Sequence, residues 1–247
     1  YDAKNVNIRG SYAFLLLKVG QIKEASLQID EALANVRKKH DDKNGLTLTK
    51  AMVLWKEEKL DEAIDMLSEL IKTFETTDVY ATLGFLYIEK GDYDKAIEFN
   101  LKAKEYNNDN AVILDNLGCS YYLSGDYDTA YELYQGLMKL KPSFPEAFYN
   151  YAKVLEYKGE LEKALYIIRH SLTLKFWHTN TISKTKIEEY LAYLEAKEEE
   201  IEKNNKVNRL DEAAASEEIK GSIDNQDVVG TENDVNTEAN ADTTDDE

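Results

Sequence analysis

The chain has 247 residues and a net charge of −18, with 48 Asp and Glu against 30 Lys and Arg. That balance excludes the basic footprint that a nucleic-acid backbone or an anionic membrane surface requires of its partner. An apolar fraction of 43%, with 17 Tyr but only 2 Pro and 11 Gly, suits a helix-rich protein, and the single cysteine, Cys119, excludes an intrachain disulfide and gives no sign of an oxidising compartment.

The charge is unevenly placed, since 13 of the acids but only 3 of the bases lie between Asn205 and Glu247. The most apolar run, YAFLLLKVG at 12–20, falls far short of the ~20 residues of a membrane span, so no direct membrane insertion is expected of this segment. The chain begins at Tyr1 without Met, so an upstream signal or anchor would be invisible and a cytoplasmic setting is the default expectation.

From the N-terminus, residues 8–36 place Tyr12-Ala13, Leu16, Gly20, Ile22, Ala25 and Ala32 in a pattern that recurs. Residues 40–43 read as a short insertion, after which 48–74 place Ala51, Leu54, Leu60 and Ala63 in the same roles. The pattern is plainest in the next two copies, where GDYDKA at 91–96 is followed 34 residues later by GDYDTA at 125–130. Leu83-Gly84 falls on Leu117-Gly118, Tyr87 on Tyr121 and Ala96 on Ala130. The following 34 residues keep the frame with Phe148, Tyr151-Ala152, Leu155, Gly159, Leu161 and Ala164. Five repeats result, at 6–39, 44–76, 77–110, 111–144 and 145–178, forming an array over 1–179.

Each repeat reads as two helices. Leu114, Leu117, Gly118 and Tyr121 make one apolar helix face, and Ala130, Leu133, Tyr134, Leu137 and Leu140 make the next. Gly91 and Gly125 suit the left-handed residue that ends a helix, and Asp94 and Asp128 are expected to cap the helix that follows. The small residues, Gly84 and Gly118 on the first helix and Ala96 and Ala130 on the second, are expected where the helices approach closely. A lone hairpin of this kind cannot bury its face and must stack on its neighbours.

Beyond His178 the frame stops. A capping helix is expected over 180–205, opened by Thr185 and Glu188 at capping-box spacing, with Ile187, Tyr190, Leu191 and Leu194 on one face. Residues 206–247 are acidic and core-poor, and read as a disordered acidic tail.

The pattern LG…Y…GDYD.A…P at period 34 resembles the tetratricopeptide repeat (TPR) family over about residues 6–178. The resemblance implies an all-α fold, a right-handed α-solenoid whose inner groove is lined by the first helix of each repeat. By that resemblance, Met52, Phe85, Cys119 and Lys153 face the groove after the small-residue position. Trp55, Ile88 and Tyr122 face it one turn on, and Tyr149 lies before it. Asn116, Asn150 and Lys153 are its polar contacts. The groove is mostly apolar and aromatic, which suits an amphipathic helix or apolar peptide better than a bare carboxylate.

No chemistry competes with that reading. His40, His170 and His178 stand at no metal-ligand spacing, Cys119 has no nucleophile signature around it, and no phosphate-binding or zinc-hydrolase motif is present. A non-enzymatic protein-binding scaffold without cofactor or metal is expected, with a protein or peptide as its partner. A second reading stays open: a structural module that stacks on upstream repeats or self-associates through its N-terminal edge, where YAFLLL carries no polar cap.

Overall fold

The computed structural model describes residues 5–37 and 42–229; part of the 40–43 insertion and the tail from 230 onward lie outside them. The chain divides into two compact units, Tyr1–Glu195 and Ala196–Glu247. All eleven elements among the described residues are helices.

The first unit holds five hairpins. They are α1 (Val6–Lys18) with α2 (Ile22–Ala34), α3 (Lys43–Lys56) with α4 (Leu60–Leu70), α5 (Thr77–Lys90) with α6 (Tyr93–Tyr106), α7 (Ala111–Ser124) with α8 (Tyr127–Lys139), and α9 (Pro145–Tyr157) with α10 (Leu161–Ser171). The small residues sit at the helix crossings. Ala13, Ala51 and Ala152 on the first helices are fully buried, as are Ala25, Ala63, Ala96, Ala130 and Ala164 on the second. A Cβ on Gly118 would meet the Tyr134 ring at 2.6 Å, so only glycine lets this pair of helices close to its observed distance. Four buried clusters run along the unit, and the largest gathers α7 to α10 with Ile182, Ile187 and Leu194.

One elbow geometry recurs in all five hairpins. In four of them the N–H at the end of the bend donates to a carbonyl five residues back: Gln21 to Leu16 at 2.9 Å, Asp92 to Tyr87 at 3.0 Å, Asp126 to Tyr121 at 2.9 Å and Glu160 to Leu155 at 2.9 Å. The residue just before that donor is left-handed, with φ of 83°, 80°, 92° and 77° at Gly20, Gly91, Gly125 and Gly159. The second hairpin lacks the glycine, yet Lys59 N–H still donates to Leu54 at 2.9 Å. Glu58 takes the left-handed position there, at φ 64°.

The caps differ from the sequence expectation. Asp92 and Asp126, not Asp94 and Asp128, accept from the backbone N–H of Lys95 and Thr129. The glycine bend leaves the residue right after it in the non-helical conformation from which a side chain reaches forward to the first turn. Asp128 instead takes an ion pair with Lys158 of the next repeat at 2.6 Å. The last helix, α11 (Lys184–Val229), is capped by the Ser183 hydroxyl, which accepts from Lys186 N–H at 3.1 Å, rather than by Thr185.

Helix α11 also continues past Asn205, although the composition from 206 onward suggests disordered chain. Residues 206–220 are rich in Ala, Glu, Lys, Arg and Leu, all strong helix formers. Low apolar content denies a segment a core; it does not deny it a helix. Every side chain from Ile201 to Ser216 is exposed. The part of the expected tail at 230–247 lies outside the described residues.

Candidate peptide-binding groove

The first helices of the second to fifth hairpins carry the residues expected in the groove, and they fall into two groups. In the first, Trp55 of α3 meets Phe85 of α5 edge-on, with ring centroids 4.8 Å apart. The Trp55 indole N–H donates to Glu89 Oε2 at 3.0 Å, and the Lys56 ammonium lies 3.7 Å from the Trp55 ring centroid. Trp55, Phe85 and Ile88 are half-buried rims of the core between the second and third repeats. Met52 turns instead toward the core of the first repeat.

In the second group Lys153 of α9 stands over two rings, Tyr122 at 5.0 Å and Tyr149 at 5.6 Å. Tyr149 packs edge-on against Tyr190 of α11 at 5.3 Å. Tyr190 and Tyr193 both donate hydroxyl hydrogen bonds of 2.7 Å to Glu156. This surface is an aromatic wall with a cation set in it. Such a wall offers apolar area and one charged contact point at low side-chain entropy cost.

Burial sets the electrostatics. It lowers the pKa of Lys56 against the raising pull of Glu89 and Glu146, and it lowers that of Lys153. Burial likewise pushes the Cys119 thiol up to about 12, with the Asp115 carboxylate adding to the shift. A thiol so placed stays protonated at neutral pH and presents a small apolar surface rather than a nucleophile.

Two expected polar contacts are placed elsewhere. Asn116 is buried between repeats, where its amide donates to Ala81 O at 3.1 Å and Asn100 Oδ1 at 3.0 Å. An amide removed from water must find partners, and here both lie in the repeat behind it. Asn150 is half-buried and donates to Asp115 Oδ1 at 3.2 Å, which also accepts from the Tyr134 hydroxyl at 3.0 Å. These two asparagines tie repeat to repeat through α7. The residues that the repeat frame did not single out are Lys56 and Glu89, whereas Glu156 stands at the fifth repeat's equivalent of Trp55, Ile88 and Tyr122. Lys56 and Glu89 each follow a groove position directly, which is the signal that could have found them.

No helix among the described residues is long and apolar enough to cross a membrane. Models of the tetratricopeptide repeat match residues 77–110 and residues 116–142. Over 107 residues the chain is 30% identical to BBSome complex member BBS4 of Bos taurus, a stretch that covers 43% of this chain and 21% of that protein. Over 111 residues it is 29% identical to the Photosystem I assembly protein Ycf3 of Acaryochloris marina, covering 41% of this chain and 67% of that one. The chain thus spans about a fifth of the bovine relative's length. The crystal structure of a thermophilic TPR protein of Thermus thermophilus superposes with a TM-score of 0.63 at 17% identity, over 76% of this chain and 98% of that one, a likeness of fold. The chain thus carries tetratricopeptide repeats at 77–110 and 116–142, set within a helical array of the same fold as the Thermus protein.

Proposed function

We propose that this chain is a non-enzymatic scaffold that holds a peptide or amphipathic helix of a protein partner against the aromatic face of its first helices. The observation that carries the reading is the paired arrangement of half-buried rings and lysines. Trp55 and Phe85 stand with Lys56, and Tyr122 and Tyr149 with Lys153. A row of apolar anchors interrupted by cations fits an amphipathic segment with apolar and acidic side chains at helical spacing. The relatives support the coarser half of the proposal, since one is named as a member of a complex and another as an assembly protein. The double substitution Trp55→Ala/Tyr122→Ala removes one anchor from each group. Affinity capture followed by identification of the bound proteins is expected to lose the partners that wild type recovers. Unchanged recovery by a double variant with native helicity would sink the groove assignment.

A second reading rests on α1. Ile8, Tyr12, Leu15 and Val19, at spacings of four, three and four, make an exposed apolar stripe, 39–54% accessible. A repeat edge of this kind can stack on another copy of the chain. Sedimentation of wild type beside Leu15→Glu/Val19→Glu separates the two readings. A dimer that the double variant abolishes supports assembly through the edge, and a monomer in both removes it.

A further inference from the structure

Repeat arrays hold together through neighbouring repeats, so contacts between the first and fifth repeats call for a separate cause. The segment 174–183, which joins α10 to α11, makes such contacts. His178 N–H donates to the carbonyl of Lys18, at the end of α1, at 2.9 Å. The Lys18 ammonium lies 4.3 Å from the Trp177 ring centroid, and Lys175 lies 3.8 Å from the same ring. Lys56, at the end of α3, donates to Asn180 O at 3.3 Å across 124 residues of sequence. The near side is fastened to the fifth repeat, where Asn180 Nδ2 and Thr181 N–H both donate to Glu146 of α9 at 2.8 Å. Ile182 is buried in the core of that end.

We propose that residues 174–183 form a latch that closes the array by fastening the end of the fifth repeat onto the first two. Its grip is made of groups that water can replace: one backbone hydrogen bond, one lysine–carbonyl bond and one cation over an indole. Such contacts are individually weak, so the latch is strong enough to order the segment and weak enough to open. It lies at one end of the aromatic face, because Lys56 both holds Asn180 and covers Trp55. Opening the latch therefore frees Lys56 and uncovers the end of α1.

The geometry supplies a direct test. A Cβ built on Gly20 lies 3.7 Å from the Cβ of His178, within the range that a disulfide spans. In a Cys119→Ser background, Gly20→Cys/His178→Cys is expected to form an intramolecular disulfide under mild oxidation, read as the loss of both alkylatable thiols in a monomer. Two thiols that stay fully reactive in a folded protein would overturn the latch. Gly20 has φ +83°, so the cysteine there is strained, and a second readout stands apart from it. The chain has two tryptophans, so Trp55→Phe leaves Trp177 as the only indole. Its acrylamide quenching constant is expected to rise about twofold or more when Lys18→Ala and Lys56→Ala are added. An unchanged constant would equally reject the latch.

Discussion

At the scale of single residues, three of the helical glycines, Gly84, Gly118 and Gly136, separate two effects. Their neighbours differ sharply. A Cβ at Gly84 would run into the Asn100 amide, one at Gly118 would meet Tyr134 at 2.6 Å, and one at Gly136 would meet nothing within 4 Å. Gly118→Ala forces a buried ring to move and is expected to cost about 1–3 kcal/mol. Gly136→Ala, in the middle of α8, is expected to gain up to about 1 kcal/mol from helix propensity alone. Urea unfolding of the two variants checks the opposite signs. Spacing alone marks Gly84 and Gly118 as packing positions, since both follow a leucine at period 34. It cannot mark Asp115, whose burial depends on α8 and α9 closing over it. Burial pushes that carboxyl to about 7 against the pull of the Asn150 and Tyr134 hydrogen bonds, with Glu146 nearby adding to the rise. Because the folded value lies above the ordinary 3.8, the native state holds the proton more tightly than the unfolded chain. Stability from this group is present at low pH and lost as pH rises from about 4 to about 7, on the order of 4 kcal/mol in all. Asp115→Asn removes the charge and keeps an acceptor for both donors. The variant is expected to melt higher than wild type at pH 8 and to lose most of that advantage at pH 4, as thermal denaturation at the two pH values would show.

At the scale of elements, α11 carries two behaviours along one helix. Ile187 and Leu194 are fully buried in the core of the fourth and fifth repeats, while Leu210 is 62% exposed. Leu194→Ala is expected to cost about 2–4 kcal/mol by opening a cavity at the end of the array, and Leu210→Ala to cost almost nothing. Chemical denaturation of both variants would show the contrast. The apolar stripe Ile187, Tyr190, Leu191, Leu194 is legible from spacing alone, because a one-sided stripe needs a partner surface. The helix beyond it is not legible by the same route. Its sequence lacks the periodicity that betrays packing, and a helix with every side chain in water leaves only propensity as a signal. The elbows show the converse case. Their glycines announce a left-handed residue, and the second repeat reaches the same bend through Glu58, which nothing in the sequence marks. Asn116 departs from its expected place in the groove for a related reason. Repeat position puts a residue on a helix face, but whether that face meets a ligand or the neighbouring repeat depends on which side chain the neighbour supplies, here Asn100.

At the scale of the whole array, the contacts of the 174–183 segment change what the first repeat should do. A terminal hairpin with a bare outer face should open first, since it has only one neighbour to hold it. The first repeat here has α3 on one side and the exposed stripe Ile8, Tyr12, Leu15, Val19 on the other. Its core is built from Val6, Ala13, Leu16, Leu17, Ala25, Ile29 and Ala32, and on its inner side it is completed by Leu46 and Val53 of α3. The Lys18 carbonyl and ammonium then add a second tether, to His178 and Trp177, from the opposite end of the array. Lys18→Ala with Trp177→Ala removes the ring–cation contact without touching any buried residue of the first repeat. The amides of Leu17 and Ile29 are expected to exchange about tenfold faster in this variant, equivalent to about 1.4 kcal/mol of lost local stability. The amides of Tyr134 and Ile168, in the core of the fourth and fifth repeats, are expected to keep their wild-type rates. Hydrogen exchange followed residue by residue distinguishes this from global destabilisation, which would speed all four. Equal rates at Leu17 and Ile29 in variant and wild type would mean that the first repeat is held by α3 alone, and that the tether contributes nothing to its stability.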